Sequence, residues 1–284
     1  VNQRTVYSEC KTKTMKKYQT LEFNIKNNFA FVNLNRPEVR NAFNVLMINE
    51  LHEIMDELNK NTHELRGLIL QGNGKVFSAG ADINWMKTMA NYSAEENKED
   101  AKQLYELFEK IYTLTLPVIT IVHGASIGGA NGLIAASDIV LAESATHFRF
   151  SEVKIGLVPA TIAPFVIQRT GNHGAKYYML TGKNFTAKAA LRIGLVNSIG
   201  NRESIDTELD LLIKEFQKNS PEAVRQTKKL VNKIDQHVFD ETIKDLTIDT
   251  IIQSRISNEG QEGMKAFLEK RAPYWKIENE TEQK

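Results

Sequence analysis

Apolar and polar positions alternate with period two over Leu21-Glu22-Phe23-Asn24-Ile25, and a second apolar run, Phe29 to Leu34, follows Asn27-Asn28. Successive strand side chains face opposite sides, so two such runs across an Asn pair predict a β-hairpin. Asn35-Arg36-Pro37 closes it. The period then lengthens: Leu51, Ile54, Met55 and Leu58 recur at helical spacing and predict an amphipathic helix over about 45–60. Short apolar runs at 67–70, 118–122, 138–142 and 147–150 read as strands, with helical segments between them. This alternation argues for parallel β/α units. From Thr186 the pattern is helical almost throughout, with Thr186 as an N-cap and Gly194 as a stop. Ser220-Pro221-Glu222 combines a cap, a Pro at the first position and an acid in the first turn, a strong helix start. Two more helices follow, roughly 240–254 and 258–271. The pattern predicts an α/β core over 18–205 and a helical region over 206–276, without repeats.

Composition narrows the functional classes. With 284 residues and 42% hydrophobic content, the chain can bury one large domain, or one domain with an appendage. A net charge of +1 gives no global field for nucleic acid or an acidic membrane, so neither is expected as a partner. A single cysteine, Cys10, excludes an internal disulfide and a Cys-based zinc site, and fits a reducing, cytoplasmic compartment. The six His are scattered, and Asp56 stands where a second His would complete the motif begun by His52-Glu53, so no metal is assigned. No apolar run approaches the roughly 20 residues of a membrane span. Residues 1–17 are polar and basic and are expected to be disordered, or a tag or leader, with Met15 as a plausible start. Residues 277–284 are expected to form a polar, frayed tail.

The candidate chemistry lies in two glycine-containing turns, Phe77-Ser78-Ala79-Gly80-Ala81-Asp82 and Gly124-Ala125-Ser126-Ile127-Gly128-Gly129. Each leaves strand-forming residues and enters a helix-like segment, where backbone N–H groups and partial positive charge collect. Two such turns facing each other can hold one developing oxyanion between two donors. Glu152 follows an alternating strand among apolar neighbours, where desolvation would raise its pKa and suit it to proton transfer. The combination suggests enolate chemistry on an acyl thioester. The rival reading takes Gly124-Ala125-Ser126-Ile127-Gly128 as the G-x-S-x-G elbow of a hydrolase with Ser126 as nucleophile. That reading needs a later acid and His, such as Asp138 or Asp240 with His173 or His237, and none sits in a convincing loop. Neither a Walker loop nor G-x-G-x-x-G is present.

An ordered set of motifs resembles the crotonase, or enoyl-CoA hydratase/isomerase, family. It comprises Asn35-Arg36-Pro37, Asn41-Ala42, the two glycine turns, Ser137-Asp138, Phe150-Ser151-Glu152 with Gly156-Leu157-Val158-Pro159, Gly194-Leu195-Val196, Ser220-Pro221-Glu222-Ala223 and the tail from Glu262 to Arg271. More narrowly, Ala81-Asp82-Ile83-Asn84-Trp85-Met86 and Pro159-Ala160-Thr161-Ile162-Ala163-Pro164 are similar to the bacterial 3-methylglutaconyl-CoA and γ-carboxygeranoyl-CoA hydratases, which would place the chain in leucine catabolism. The resemblance implies a crotonase (ClpP-like) fold of repeated ββα units in two near-perpendicular sheets. It also implies C-terminal helices that assemble a homotrimer or hexamer. No separate cofactor is implied, because coenzyme A is part of the acyl-CoA substrate.

The resemblance also implies roles for single residues. The Ala81 and Gly129 N–H groups match an oxyanion hole, and Glu152 a catalytic acid/base. Ala42, Ala79, Asp82 and Ile83 lie where the adenine and pantetheine of CoA pass, and Arg40, or Lys270 of a neighbouring subunit, would meet the CoA phosphates. The two-glutamate hydratases carry their first Glu where Gly132 stands here. A carboxylate missing at Gly132 would spare a substrate with its own carboxylate a like-charge repulsion of several kcal/mol. Hydration of an α,β-unsaturated acyl-CoA is the leading expectation. Δ3–Δ2 isomerisation, a Ser126-dependent thioesterase, and a non-catalytic binder of CoA esters or RNA are the alternatives.

Overall fold

The structure is a computed structural model that describes residues 17–60, 62–234 and 241–276. The expected N-terminal leader (bar Lys17), the polar tail and Asp240 lie outside the described residues. The hairpin is β1 (Leu21–Lys26) and β2 (Phe29–Leu34), paired antiparallel. Asn27 and Asn28 turn it with φ of 53° and 62°, a left-handed pair that Asn tolerates better than most residues. Then come α1 (Val45–Lys60), β3 (Gly67–Gly72), α2 (Ile83–Met89), α3 (Ala94–Thr113), β4 (Val118–Val122), β5 (Ala125–Ile127) and α4 (Ala130–Ala136). Next are β6 (Ile139–Glu143), β7 (His147–Arg149), α5 (Ala163–Thr181), β8 (Phe185–Thr186), α6 (Ala187–Arg192) and β9 (Ser198–Gly200). Four helices follow among the described residues: α7 (Arg202–Lys218), α8 (Pro221–Ile234), α9 (Glu241–Ile256) and α10 (Asn258–Leu268). Among the described residues, no helix is long and apolar enough to cross a membrane.

The larger sheet has the order β1-β2-β3-β4-β6-β9 and is parallel beyond the first hairpin. Both faces are covered, which explains why β3 and β4 read as continuous apolar runs. Leu68, Leu70, Val118 and Val122 join Leu51, Ile54, Phe108 and Ile111 in the main core. The intervening Ile69, Ile119 and Ile121 pack with Ile205, Leu209 and Ile213 of α7 in a second core. The boundary expected after residue 205 therefore falls inside α7, a helix that covers the main sheet. The smaller sheet, β5-β7-β8, is backed by stacked Phe148, Phe185 and Tyr178, with ring centroids 5.6 and 4.0 Å apart.

Strands β5, β8 and β9, of two or three residues each, are too short to show a period and were not predicted. Helices α8 to α10 attach at the end of the main sheet where β3 and β4 begin. Lys228 Nζ donates to Leu116 O (3.0 Å) and Asp138 Oδ2 (2.6 Å), and Arg66 Nη2 donates to Trp275 O (2.7 Å).

Candidate active site

The two glycine turns lie side by side at the other ends of those strands. Ser78 N donates to Ala125 O and Ile127 N to Ser78 O, both at 3.1 Å, so Ser78 bridges Ser126 as a short parallel strand would. Gly80 permits the close approach: its φ is +89°, and a Cβ there would lie 2.7 Å from Ile127 O. On its other side the first turn pairs with Phe43, through Phe43 N to Gly80 O (2.7 Å) and Asp82 N to Phe43 O (2.8 Å). In a parallel bridge the central residue contributes neither of those groups. The Ala81 N–H accordingly has no acceptor within the described residues, and Ala81 is exposed.

The second turn ends in the same way. Gly128 has a φ of +54° and donates its N–H to Arg149 O at 2.8 Å. Gly129 then caps α4, whose first turn closes through Gly132 N to Gly129 O at 2.9 Å. The Gly129 N–H also has no acceptor within the described residues. A Cβ on Gly129 would meet nothing within 4 Å, so open space lies before it. Two spare donors thus flank an opening where two turns are packed together.

Glu152 reaches the same place from the end of β7, at the start of a 3-10 turn, Glu152–Ile155. A Cβ on Gly128 would lie 3.3 Å from Glu152 Oε1. The other oxygen, Oε2, is buried without a hydrogen-bond partner. Burial pushes the Glu152 carboxyl up from its ordinary pKa, opposed only by its own backbone N–H. The arrangement joins two amide donors, a desolvated carboxylate and open space.

The remaining predicted residues divide. Ala79 is half-buried and donates its N–H to Arg40 O at 2.9 Å; Arg40 is exposed with φ +56°. Ala42 is buried, its carbonyl accepting from Arg36 Nη1 at 2.7 Å. Ile83 is 71% exposed beside Ala81. Asp82 is buried and committed elsewhere: it pairs with Arg36 at 2.8 Å and caps α2 through Asn84 N at 2.8 Å. Burial alone would raise the Asp82 pKa, but the Asn84 N–H and the Arg36 guanidinium outweigh it and hold the carboxyl below its usual range. Asp82 therefore fixes the helix after the first turn and has no carboxylate to spare for a substrate.

Gly132 requires a correction. It is buried, and a Cβ there would lie 2.5 Å from Phe108 Cζ and 2.7 Å from Ile162 Cγ2. Aromatic and aliphatic atoms fill the position, so Gly132 is wall and does not face a ligand. Lys270 is exposed at the end of α10, in the helical region that attaches at the opposite ends of the strands, and is not brought to this chain's turns. Ser126, the alternative nucleophile, is fully buried in β5, and its hydroxyl has no hydrogen-bond partner. No base addresses it, which removes the geometry a serine nucleophile needs. Among the described residues, no group of three or more His, Cys, Asp or Glu is placed to hold a metal.

The profile of the enoyl-CoA hydratase/isomerase family matches residues 24–278. The chain belongs to this family. A crystal structure of an enoyl-CoA hydratase from Shewanella pealeana superposes with a TM-score of 0.88 at 37% identity, over 91% of this chain and 97% of that one. A Thermus thermophilus protein provisionally named enoyl-CoA hydratase is 33% identical over 87% of this chain and 97% of its own length. The mitochondrial Delta(3,5)-Delta(2,4)-dienoyl-CoA isomerase of Dictyostelium discoideum is 30% identical over 92% of both chains. Hydratases and isomerases thus both stand among the relatives of this enoyl-CoA hydratase/isomerase family member, and the solved structure shares its arrangement of sheets and helices.

Sequence reasoning gave Asn131, Phe108 and Ile162 no role at this site. Phe108 lies in a helical segment and Ile162 in the motif 159–164, and only the three-dimensional packing brings both onto Gly132.

Proposed function

We propose that this chain hydrates an α,β-unsaturated acyl-CoA through an enolate, with Glu152 as the single acid/base. The observation that carries the reading is the pair of unpartnered N–H groups, Ala81 and Gly129, beside a desolvated carboxylate. The thioester oxygen would sit between the two N–H groups. Glu152 would take a proton from water as its oxygen attacks C3. The C2=C3 electron pair then moves toward C1, and the negative charge collects on the thioester oxygen as an enolate. Collapse of the enolate takes a proton at C2, returned by Glu152. Each amide donor is worth roughly 3 kcal/mol of barrier. Arg40, Ala42, Ala79 and Ile83 would line the CoA arm, and Lys270 of a neighbouring subunit in a trimer or hexamer would meet a phosphate.

One observation favours a second reading, Δ3–Δ2 isomerisation. Phe108 and Ile162 fill the place of a second carboxylate, leaving one group able to shuttle a proton between C2 and C4. A substrate carrying its own carboxylate, such as 3-methylglutaconyl-CoA in leucine catabolism, meets less repulsion at a one-carboxylate site. Purified enzyme given crotonyl-CoA, 3-methylglutaconyl-CoA and a 3-enoyl-CoA, with products read by mass spectrometry and ultraviolet absorbance, decides among these. Gain of water supports hydration, and the faster hydrated substrate identifies the branch. Conversion of the 3-enoyl ester alone to its conjugated isomer would replace hydration by isomerisation. Release of free CoA would refute both.

A further inference from the structure

We propose that Asn131 is a positioning residue: its side-chain amide ties the turn that carries the Gly129 N–H to the strand end that carries Glu152. The inference rests on the reading of those two groups given above. Asn131 is fully buried in the first turn of α4, where every residue from Ala130 to Ala136 is buried and all the others are apolar or glycine. Its Nδ2 donates to Gly128 O at 3.1 Å and to Arg149 O at 2.9 Å. Gly128 precedes the proposed oxyanion donor by one residue, and Arg149 precedes the proposed base by three. One planar amide therefore spans the two halves of the site.

Stability does not explain this amide. Both carbonyls already have a backbone donor: Gly128 O accepts from Asn131 N (3.0 Å) and Arg149 O from Gly128 N (2.8 Å). Removing Nδ2 leaves no buried carbonyl unpaired. The Asn131 Oδ1, meanwhile, is buried with no partner at all, an arrangement that costs free energy an apolar side chain would avoid. A polar side chain that is half-satisfied inside an apolar helix turn, and whose bonds duplicate existing ones, fits a requirement for alignment. Oxyanion donors and bases act only when held to a fraction of an ångström.

Asn131→Leu removes both bonds with the same number of side-chain heavy atoms, and Asn131→Asp keeps the outline while removing at least one of the two N–H donors. Each is compared with wild type and Glu152→Gln for thermal midpoint, KM and kcat on crotonyl-CoA and a 3-enoyl-CoA. For Asn131→Leu, an unchanged or higher midpoint, a kcat lower by at least tenfold and a KM within about threefold are expected. The same kcat loss is expected in Asn131→Asp. Wild-type kcat in either folded variant, or a loss that appears only as raised KM, overturns the inference while Glu152→Gln remains inactive. Wild-type turnover by Glu152→Gln instead overturns the reading of the site, and this inference with it.

Discussion

Glu152 keeps an ionisable group where one of its oxygens finds no partner, and this has a measurable cost. A carboxylic acid whose folded pKa is raised contributes stability that is fully present below its unfolded pKa. That advantage is lost as pH rises through the folded pKa, because the native state must then hold a buried charge. Glu152→Gln should therefore raise the thermal midpoint at neutral pH, and the gain should vanish in acid. The same variant should lower kcat by about a hundred- to ten-thousand-fold. The acid limb of the wild-type kcat/KM profile should fall above the usual carboxylate range. A destabilised Glu152→Gln protein with wild-type kcat would contradict both statements. At this scale the sequence was informative where a residue type is itself the signal. Gly80 and Gly128 mark backbone that only glycine easily adopts, and Glu152 follows a strand among apolar neighbours. Asn131 gave no such signal, because an amide's meaning lies in which carbonyls it reaches.

Packing between α3 and α4 decides what position 132 can hold. The sequence suggested that Gly132→Glu would selectively impair a carboxylate-bearing substrate. The Phe108 ring makes that outcome inaccessible, since the first added carbon already overlaps it. Gly132→Glu should instead destabilise the fold by about 1–3 kcal/mol from overpacking, with a further cost for the buried charge. Phe108→Ala combined with Gly132→Glu should cost less than the sum of the two single changes, which denaturant titration of the three variants would read. An undamaged Gly132→Glu protein would show that the helices are not packed as described. Periodicity exposed the hairpin, α1, β3 and β4, because burial in them repeats over enough residues to be seen. It did not expose the three-residue β5, whose pairing with Ser78 brings the turns together.

Across the whole molecule, the helical region is strapped to the core by ionic and carbonyl contacts at the end remote from the turns. Lys228 is only 8% exposed in its side chain, and burial pulls its ammonium pKa down while Asp138 pulls it back up. Lys228→Met should cost about 3 kcal/mol by leaving Asp138 without its partner, and should make α8 to α10 more susceptible to limited proteolysis. Equal proteolysis rates would show that the Lys228 contacts do not hold the region. Phe267 and Leu268 are 81% and 78% exposed at the end of α10, apolar surface in the region expected to assemble subunits. Light scattering should give a trimer or hexamer, and Phe267→Asp should lower its order; a wild-type monomer would exclude a Lys270 contribution from a neighbour. The sequence separated this helical region from the α/β core with a boundary that falls inside α7. It could not show that α7 seals the second face of the sheet, since an amphipathic helix does not name the surface it covers.

The most direct test of the account is turnover of crotonyl-CoA and a 3-enoyl-CoA in D2O by wild type and Glu152→Gln, with product mass and the deuterium position determined. The account predicts one deuterium at C2 of a hydrated product, or at C4 of a conjugated isomer formed from the 3-enoyl ester, and loss of that incorporation in the variant. Deuterium incorporated at these carbons by both proteins at equal rates, or free CoA with no carbon label, would contradict an enolate formed between the Ala81 and Gly129 N–H groups and served by Glu152.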